Sequence, residues 1–193
     1  MAIIDYAAKE KRLVDAERFE EAGNYRMAAR ALRRGAAEGN TSCQLNLGNY
    51  YTAGKGVKKS MQRAAYWYRK AYENGDRSGA FNLAIEKRNQ GNFRWAEFWF
   101  KKAVAMRDGS AHIELAKMYI SRDQNTKAAA ALLRRAIKLG VDDVSDEEKA
   151  EAEALLETIS TSLLRKHKKS GVRTRRQHPK PPIRTSRARL MKT

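Results

Sequence analysis

The chain has one cysteine, three prolines and three histidines in 193 residues, and each scarcity excludes something. A lone Cys43 cannot build an intramolecular disulfide framework or a cysteine-rich metal site. That economy fits a reducing, intracellular setting. His112, His167 and His178 do not stand at metal-ligand spacing with one another, with Cys43 or with a carboxylate. Around Gly54 and Gly56 the spacing and helix start of a phosphate loop are missing. No cofactor and no catalysis are expected. No run approaches the roughly eighteen apolar residues that a membrane span requires. The opening MAIIDYAAKEKRL lacks the basic-then-apolar order of a secretory signal. The sequence therefore reads as cytoplasmic, or nuclear if the source is eukaryotic.

Acid is missing from one region altogether. Residues 165–193 hold twelve Lys/Arg and no Asp or Glu, so they supply +12 of the net +18 and leave only +6 for residues 1–164. Pro179, Pro181 and Pro182 also fall there. Such composition cannot bury enough apolar surface to offset the entropy of ordering, so a basic, proline-containing disordered tail is expected at 165–193. Residues 1–164 form the candidate folded domain.

What the chain does have is repetition. With Ala71 set against Ala103, Trp67 meets Trp99, Tyr68 meets Phe100, Arg69-Lys70 meets Lys101-Lys102 and Leu83 meets Leu115. Earlier, Gly39, Leu32 and Leu47 match Gly75, Tyr68 and Leu83; later, Leu132-Leu133, Arg134-Arg135 and Ala136 continue the series. Subtracting those residue numbers gives offsets of 36, 32 and 33. Recurrence at that length marks stacked helical units, none of which can bury its apolar face alone.

Helix signals come in pairs, and no strand-period segment competes. Leu13, Ala16 and Phe19 mark a first helix closed by Gly23-Asn24, with a partner over about 25–38 ended by Gly39. Next comes a helix carrying Cys43, Leu45, Leu47, Gly48 and Tyr51 and ending in Gly54-Lys55-Gly56-Val57, with a partner over about 60–74; further pairs follow at about 77–90 with 93–106, and 110–121 with 126–139. Gly39, Gly75 and Gly140 are expected to adopt the left-handed geometry that ends helices. Alanines at 28, 64, 71, 96, 103, 129 and 136 are expected where helices approach closely. Ser145-Asp146-Glu147-Glu148 has the form of a capping box, followed by the apolar stripe Ala152, Leu156, Ile159 and Leu163. The expectation is an all-α, right-handed α-solenoid of about four antiparallel helix pairs plus a C-terminal capping helix.

Gly54-Lys55-Gly56-Val57, Ala64-Ala65, Trp67-Tyr68-Arg69-Lys70-Ala71, Gly75 and Ala80-Phe81-Asn82-Leu83-Ala84 resemble the Sel-one-like repeat (SLR). That family is a relative of the tetratricopeptide repeat (TPR). Gln44-Leu45-Asn46-Leu47-Gly48 with Tyr51 fits the preceding helix, whereas Gly23-Asn24-Tyr25 and Gly91-Asn92-Phe93 are similar to ordinary TPR turns. The resemblance covers about residues 12–140 and implies an adaptor or scaffold.

It also implies an inner groove lined by the first helix of each pair. Asn49, Ile85 and Lys117 are then equivalent groove positions, with Asn46, Asn82, Arg88 and Asn89 nearby. Asparagine can hold an extended backbone through its paired donor and acceptor, and Lys or Arg can meet a carboxylate. A second candidate is a cationic ladder, Arg33-Arg34, Arg69-Lys70, Lys101-Lys102 and Arg134-Arg135, which could track a polyanion or acidic partner. The alternative is a solvated face with local pairing, since Arg34/Glu38, Arg69/Glu73 and Glu97/Lys101 are helical neighbours. Arg173, Arg175 and Arg176 could add phosphate contacts from the tail, which could equally dock on an acidic protein or serve targeting.

Trp67, Trp99, Tyr66, Tyr72 and Phe98 read as inter-repeat core and rim, and Trp95 as the aromatic left exposed. Cys43 reads as a core thiol, against a catalytic pairing with His112. The leading expectation is a non-enzymatic adaptor, monomeric or weakly oligomeric, holding a protein or peptide on its concave face. The rivals are a nucleic-acid-associated protein and an immunity-type inhibitor.

Overall fold

Side-chain caps divide the chain into its elements. Asn24, Asn40, Ser60, Asp76, Asn92, Asp108 and Asn125 each accept a hydrogen bond from a backbone N–H in the first turn of the following helix. Each such cap typically contributes about 1 kcal/mol. The computed structural model describes the backbone of residues 2–174 and the side chains of residues 10–162. Among the described residues there are nine helices and no strand. The first four are α1 (Ala2–Glu21), α2 (Tyr25–Ala37), α3 (Thr41–Ala53) and α4 (Met61–Glu73). Then come α5 (Arg77–Asn89), α6 (Phe93–Ala105), α7 (Gly109–Ser121), α8 (Thr126–Ile137) and α9 (Asp146–Thr174).

Each helix packs chiefly on its chain neighbours, as sequential antiparallel pairs, with α9 closing over α8 and touching α7. The core repeats with the sequence. Ala28, Ala64, Ala96 and Ala129 are fully buried, as are Ala71, Ala103 and Ala136. Between those two rows of small residues runs a row of large ones, Leu32, Tyr68, Phe100 and Leu133, also buried. Small side chains let the helix axes approach, and the large row fills the space that remains. The fold class and the close-packed alanines match the sequence reading.

The Gly54–Val57 loop ties the second unit to the first. Gly54 and Gly56 are left-handed, at φ 78° and 65°, and a Cβ on Gly56 would strike the Tyr25 backbone. Lys55 pairs with Glu20 and lies 4.5 Å from the Tyr25 ring centroid.

One expectation fails at a helix end. Gly39 and Gly75 are left-handed at φ 85° and 91°, but Gly140 is not. The chain beyond Gly140 does not enter another first helix. It turns instead, with the Gly140 carbonyl accepting from the Asp143 and Val144 N–H groups at 3.0 and 3.1 Å. The left-handed position before α7 falls to Arg107, at φ 64°. After that turn comes α9. Its capping box forms as expected, with Ser145 N–H on Glu148 at 2.9 Å and Glu148 N–H on Ser145 Oγ at 3.2 Å. Ala152 and Ile159 are buried beneath it. The helix runs to Thr174 and takes in Arg173. Arg175, Arg176 and the rest of 175–193 lie outside the described residues.

Candidate partner-binding site

The sequence-predicted groove positions resolve into a cavity and an ion network. The cavity, of about 290 Å³, lies where α3 and α4 meet α5. Asn82, Ile85 and Asn89 line it together with Thr52, Met61, Tyr68, Glu86 and Gln90. Asn49 supports its wall from outside by accepting from the Tyr68 hydroxyl at 2.7 Å. Asn46 is half-buried on α3 and does not reach it.

Arg88 and Lys117 go elsewhere. Arg88 pairs with Glu114, and Lys117 pairs with Glu114 at 2.8 Å and with Glu151 at 2.6 Å. Burial pushes the Glu114 carboxyl up, but the hydrogen bonds from Lys117 and Arg88 hold it below its ordinary value. These two cations therefore stitch α5, α7 and α9 together, and their charge is already matched.

Glu86 is the residue that sequence reasoning missed. It is only 8% exposed. Its Oε1 accepts from the Gln90 side-chain amide at 3.0 Å, while its buried Oε2 has no hydrogen-bond partner. Burial pushes this carboxyl above its ordinary value. The signal was present in the repeat register, where Glu86 stands opposite Tyr50 and Met118, both buried. A carboxyl occupies a core position that the flanking units give to large, mostly apolar side chains.

The second helices carry the opposite charge. Arg33, Arg34, Arg69, Lys101, Lys102, Arg134 and Arg135 are exposed and Lys70 is half-exposed. Local pairing is only partly as expected. Lys101 meets Glu97 at 2.7 Å, but Glu73 pairs with Lys70 at 2.9 Å, and Glu38 pairs with Arg12 at 3.3 Å. Arg33 donates to the Tyr51 hydroxyl at 3.3 Å.

The aromatic reading needs correction on this face. Trp99 is buried and Trp67 and Tyr72 are half-buried, but Tyr66 and Phe98 are 54% and 43% exposed, comparable with Trp95 at 51%. Trp95 packs edge-on to Phe98, with centroids 5.4 Å apart, and Phe98 edge-on to Trp99 at 5.2 Å. Arg69 lies 6.0 Å from the Trp99 ring and Lys102 5.5 Å from Phe98. Facing outward, these rings mutually shield only part of their surface.

Cys43 is wholly buried, and burial pushes its thiol up to about 11. That opposes nucleophilic use. His112 is buried with Nδ1 2.7 Å from the Asp108 carbonyl oxygen, on the fourth pair rather than beside Cys43 on the second. Among the described residues, no group of three or more His, Cys, Asp or Glu could hold a metal ion. No helix there is long and apolar enough to cross a membrane.

The paired helices, the two alanine rows and the Gly54–Val57 loop agree with the family comparison, in which the Sel1 repeat model matches residues 41–76 and 109–141. Those two segments of the chain are Sel1 repeats. The Sel1 match skips the third unit, yet α5 and α6 continue the stack there. Among solved structures, this Sel1-repeat chain is similar to a Sel1 repeat protein from Oxalobacter formigenes. The identity is 25% and the TM-score 0.58, over 72% of this chain and 59% of that one. It is also similar to c5321 of Escherichia coli, described as a protective antigen of uropathogenic strains with an SLR fold. There the values are 20% and 0.51, over 84% and 46% of the two chains. MamA matches at 14% identity and a TM-score of 0.53, over 91% of this chain and 98% of its own. The last two likenesses concern the fold alone. The Sel1-repeat chain thus spans only 59% and 46% of the first two relatives. No curated protein matches it.

Proposed function

We propose that this Sel1-repeat chain is a non-catalytic adaptor that grips an extended segment of a partner protein along the face built by its first helices. The observation carrying this reading is the cavity of about 290 Å³ at the junction of the second and third units. It combines apolar walls from Met61 and Ile85 with the side-chain amides of Asn82, Asn89 and Gln90. Side-chain amides offer donor and acceptor together, which suits a backbone, and small apolar walls suit a side chain. Repeat arrays of this kind typically act through protein contacts, and the fold alone does not name the partner.

Site-specific photocrosslinking tests the reading. A benzophenone side chain at Asn89 should yield an adduct mapping to one segment of one partner in extract of the native source. The same probe at Arg69, on the opposite helix set, should not yield that adduct. Equal labelling from both positions, or none from Asn89, overturns it.

The exposed Trp95, Phe98 and Tyr66 beside the ladder cations favour a second reading, a single-stranded nucleic-acid platform. Bases stack on exposed aromatics while cations follow the phosphates. Anisotropy of a labelled single-stranded oligonucleotide checks it: binding should weaken steeply with salt and fall several-fold in Trp95→Ala. Salt-independent binding, or an unaffected variant, excludes it. Removing 175–193 separates any contribution of Arg175 and Arg176 from that of the array.

A further inference from the structure

We propose that the cavity beside Glu86 receives one basic side chain, arginine or lysine, from the partner's extended segment. The inference rests on the adaptor reading and names the chemistry that the groove selects.

A buried carboxylate oxygen without a donor is costly, because the group has lost its water and gained nothing in exchange. Glu86 is in that state at Oε2, while Gln90 satisfies only Oε1. The Tyr68 hydroxyl in the wall is committed elsewhere, donating to Asn49 and lying 3.1 Å from Thr52 Oγ1. Lys87, the adjacent cation on α5, directs its ammonium to Gln90 at 3.2 Å rather than to the carboxylate. The two neighbouring units avoid the problem altogether by placing Tyr50 and Met118 at the equivalent position. A donor missing at one unit of a repeat, on a side chain that lines a cavity, is the arrangement expected where the ligand brings the donor.

The shape narrows the ligand. The cavity holds about 290 Å³, far more than the roughly 30 Å³ of one water. Met61 and Ile85 would cover a methylene stem, and the Asn82 and Asn89 carbonyl oxygens could accept the remaining N–H groups of a cationic head. The carboxylate's terminal torsion is soft and twofold, so a small turn can bring Oε2 to an incoming donor. Charge placement agrees. The ladder cations ride on the second helices, whereas Glu86 and Glu114 ride on the first, and Glu114 is already neutralised by Arg88 and Lys117. Glu86 is the carboxylate that lines the cavity, and among the described residues it makes no ion pair, although the nearby Lys87 charge favours its ionised form.

The test uses the full chain and an acetylated, amidated pentapeptide with one central arginine among alanines. Companion peptides carry citrulline, the neutral isostere, or lysine at that place; agmatine supplies the same head without a peptide. Binding is followed through the side-chain NH₂ resonances of Asn82, Asn89 and Gln90. The arginine or the lysine peptide should shift these resonances, and citrulline should bind at least tenfold more weakly. Glu86→Gln should lose that discrimination at unchanged or higher thermal midpoint, whereas Glu73→Gln on the outer face should keep it. Citrulline binding as tightly as the better bound of the arginine and lysine peptides, undiminished preference in Glu86→Gln, or shifts confined to other residues overturns the proposal. Agmatine binding as tightly as the peptide overturns the peptide origin of the cation. The arginine–citrulline comparison needs no variant, so misfolding cannot obscure it. If the Asn89 photoadduct survives in Glu86→Gln at full yield, the adaptor reading stands and the cation pocket falls.

Discussion

Arg107 and Gly75 occupy equivalent places and ask the same thing of the backbone, a positive φ of 64° and 91° respectively. Glycine accepts that region freely, whereas a residue with a Cβ is disfavoured there by about 1–2 kcal/mol. A Cβ at Gly75 would meet no neighbour, so its effect would be purely conformational. Gly75→Ala should therefore cost about 1 kcal/mol in urea unfolding. Arg107→Gly should gain up to about 1 kcal/mol, partly offset by its ion pair with Asp143 at 3.1 Å, whose arginine side chain is 70% exposed. A net loss above about 1 kcal/mol would show that the pair, not the dihedral, decides the position. Two carboxyls give opposite pH signatures. The Glu86 carboxyl is raised by burial, so its contribution to stability is complete in acid and is lost as pH climbs from the unfolded value through the raised folded one. Glu86→Gln should thus gain on wild type with rising pH, reaching about 1 kcal/mol at neutrality. The Asp143 carboxyl is held down chiefly by its hydrogen bond from Arg77, so its contribution is present above the ordinary carboxylate range and is lost as pH falls through the depressed value. Asp143→Asn should flatten that acid limb. Denaturant titrations between pH 3 and 7 check both, and parallel curves for either variant and wild type would refute the assignment.

At the scale of the element, the α4–α5 crossing shows what the repeat encodes. Ala71 is fully buried, and a Cβ on Gly79 would collide with the Tyr68 carbonyl oxygen and the Tyr72 nitrogen. There is no room for a larger residue at either place. Ala71→Leu should overpack the junction and cost about 1–3 kcal/mol, read as a lowered thermal midpoint; an unchanged midpoint would mean that the crossing can open. These small positions were legible in the sequence because they recur, and recurrence converts composition into geometry. The helix pairs, their caps and the capping box were legible for the same local reasons. Departures from the register were harder. Gly140 keeps its place in the pattern but loses its partner helix, so its dihedral changes. Tyr66 and Phe98 recur faithfully, yet recurrence says only that two residues share a face, not that the face is covered. Glu86 was legible only in comparison with Tyr50 and Met118, and both expected groove cations, Arg88 and Lys117, turned out to be internal ties because Glu114 and Glu151 come from distant turns of sequence.

The whole molecule is a chain of nearest-neighbour interfaces, so damage at one end should fade along it rather than spread evenly. The last turn of the array shows how far it reaches. The Asp143 carbonyl accepts from Gly109 N–H at 2.9 Å, and the Asp142 carbonyl accepts from Arg77 at 2.7 Å. Arg77 also pairs with Asp143, Ser110 bonds Glu148, and Lys117 reaches Glu151. Truncation after Gly140 removes all of these partners and uncovers the faces of α7 and α8 that α9 buries. It cuts directly into α7 and α8, into α5 only at Arg77, and removes none of these partners from α3. Hydrogen exchange should therefore show protection lost in a gradient: most in α8 and α7, less in α5 and α6, and little in α3 and α4. A cut after Thr174 leaves every one of these contacts and should leave the pattern unchanged. An equal loss across α1 to α8 would mean that the array unfolds as one block. The cavity between the second and third units would then share the fate of the cap, whereas a gradient leaves it standing on the part of the array that does not depend on α9.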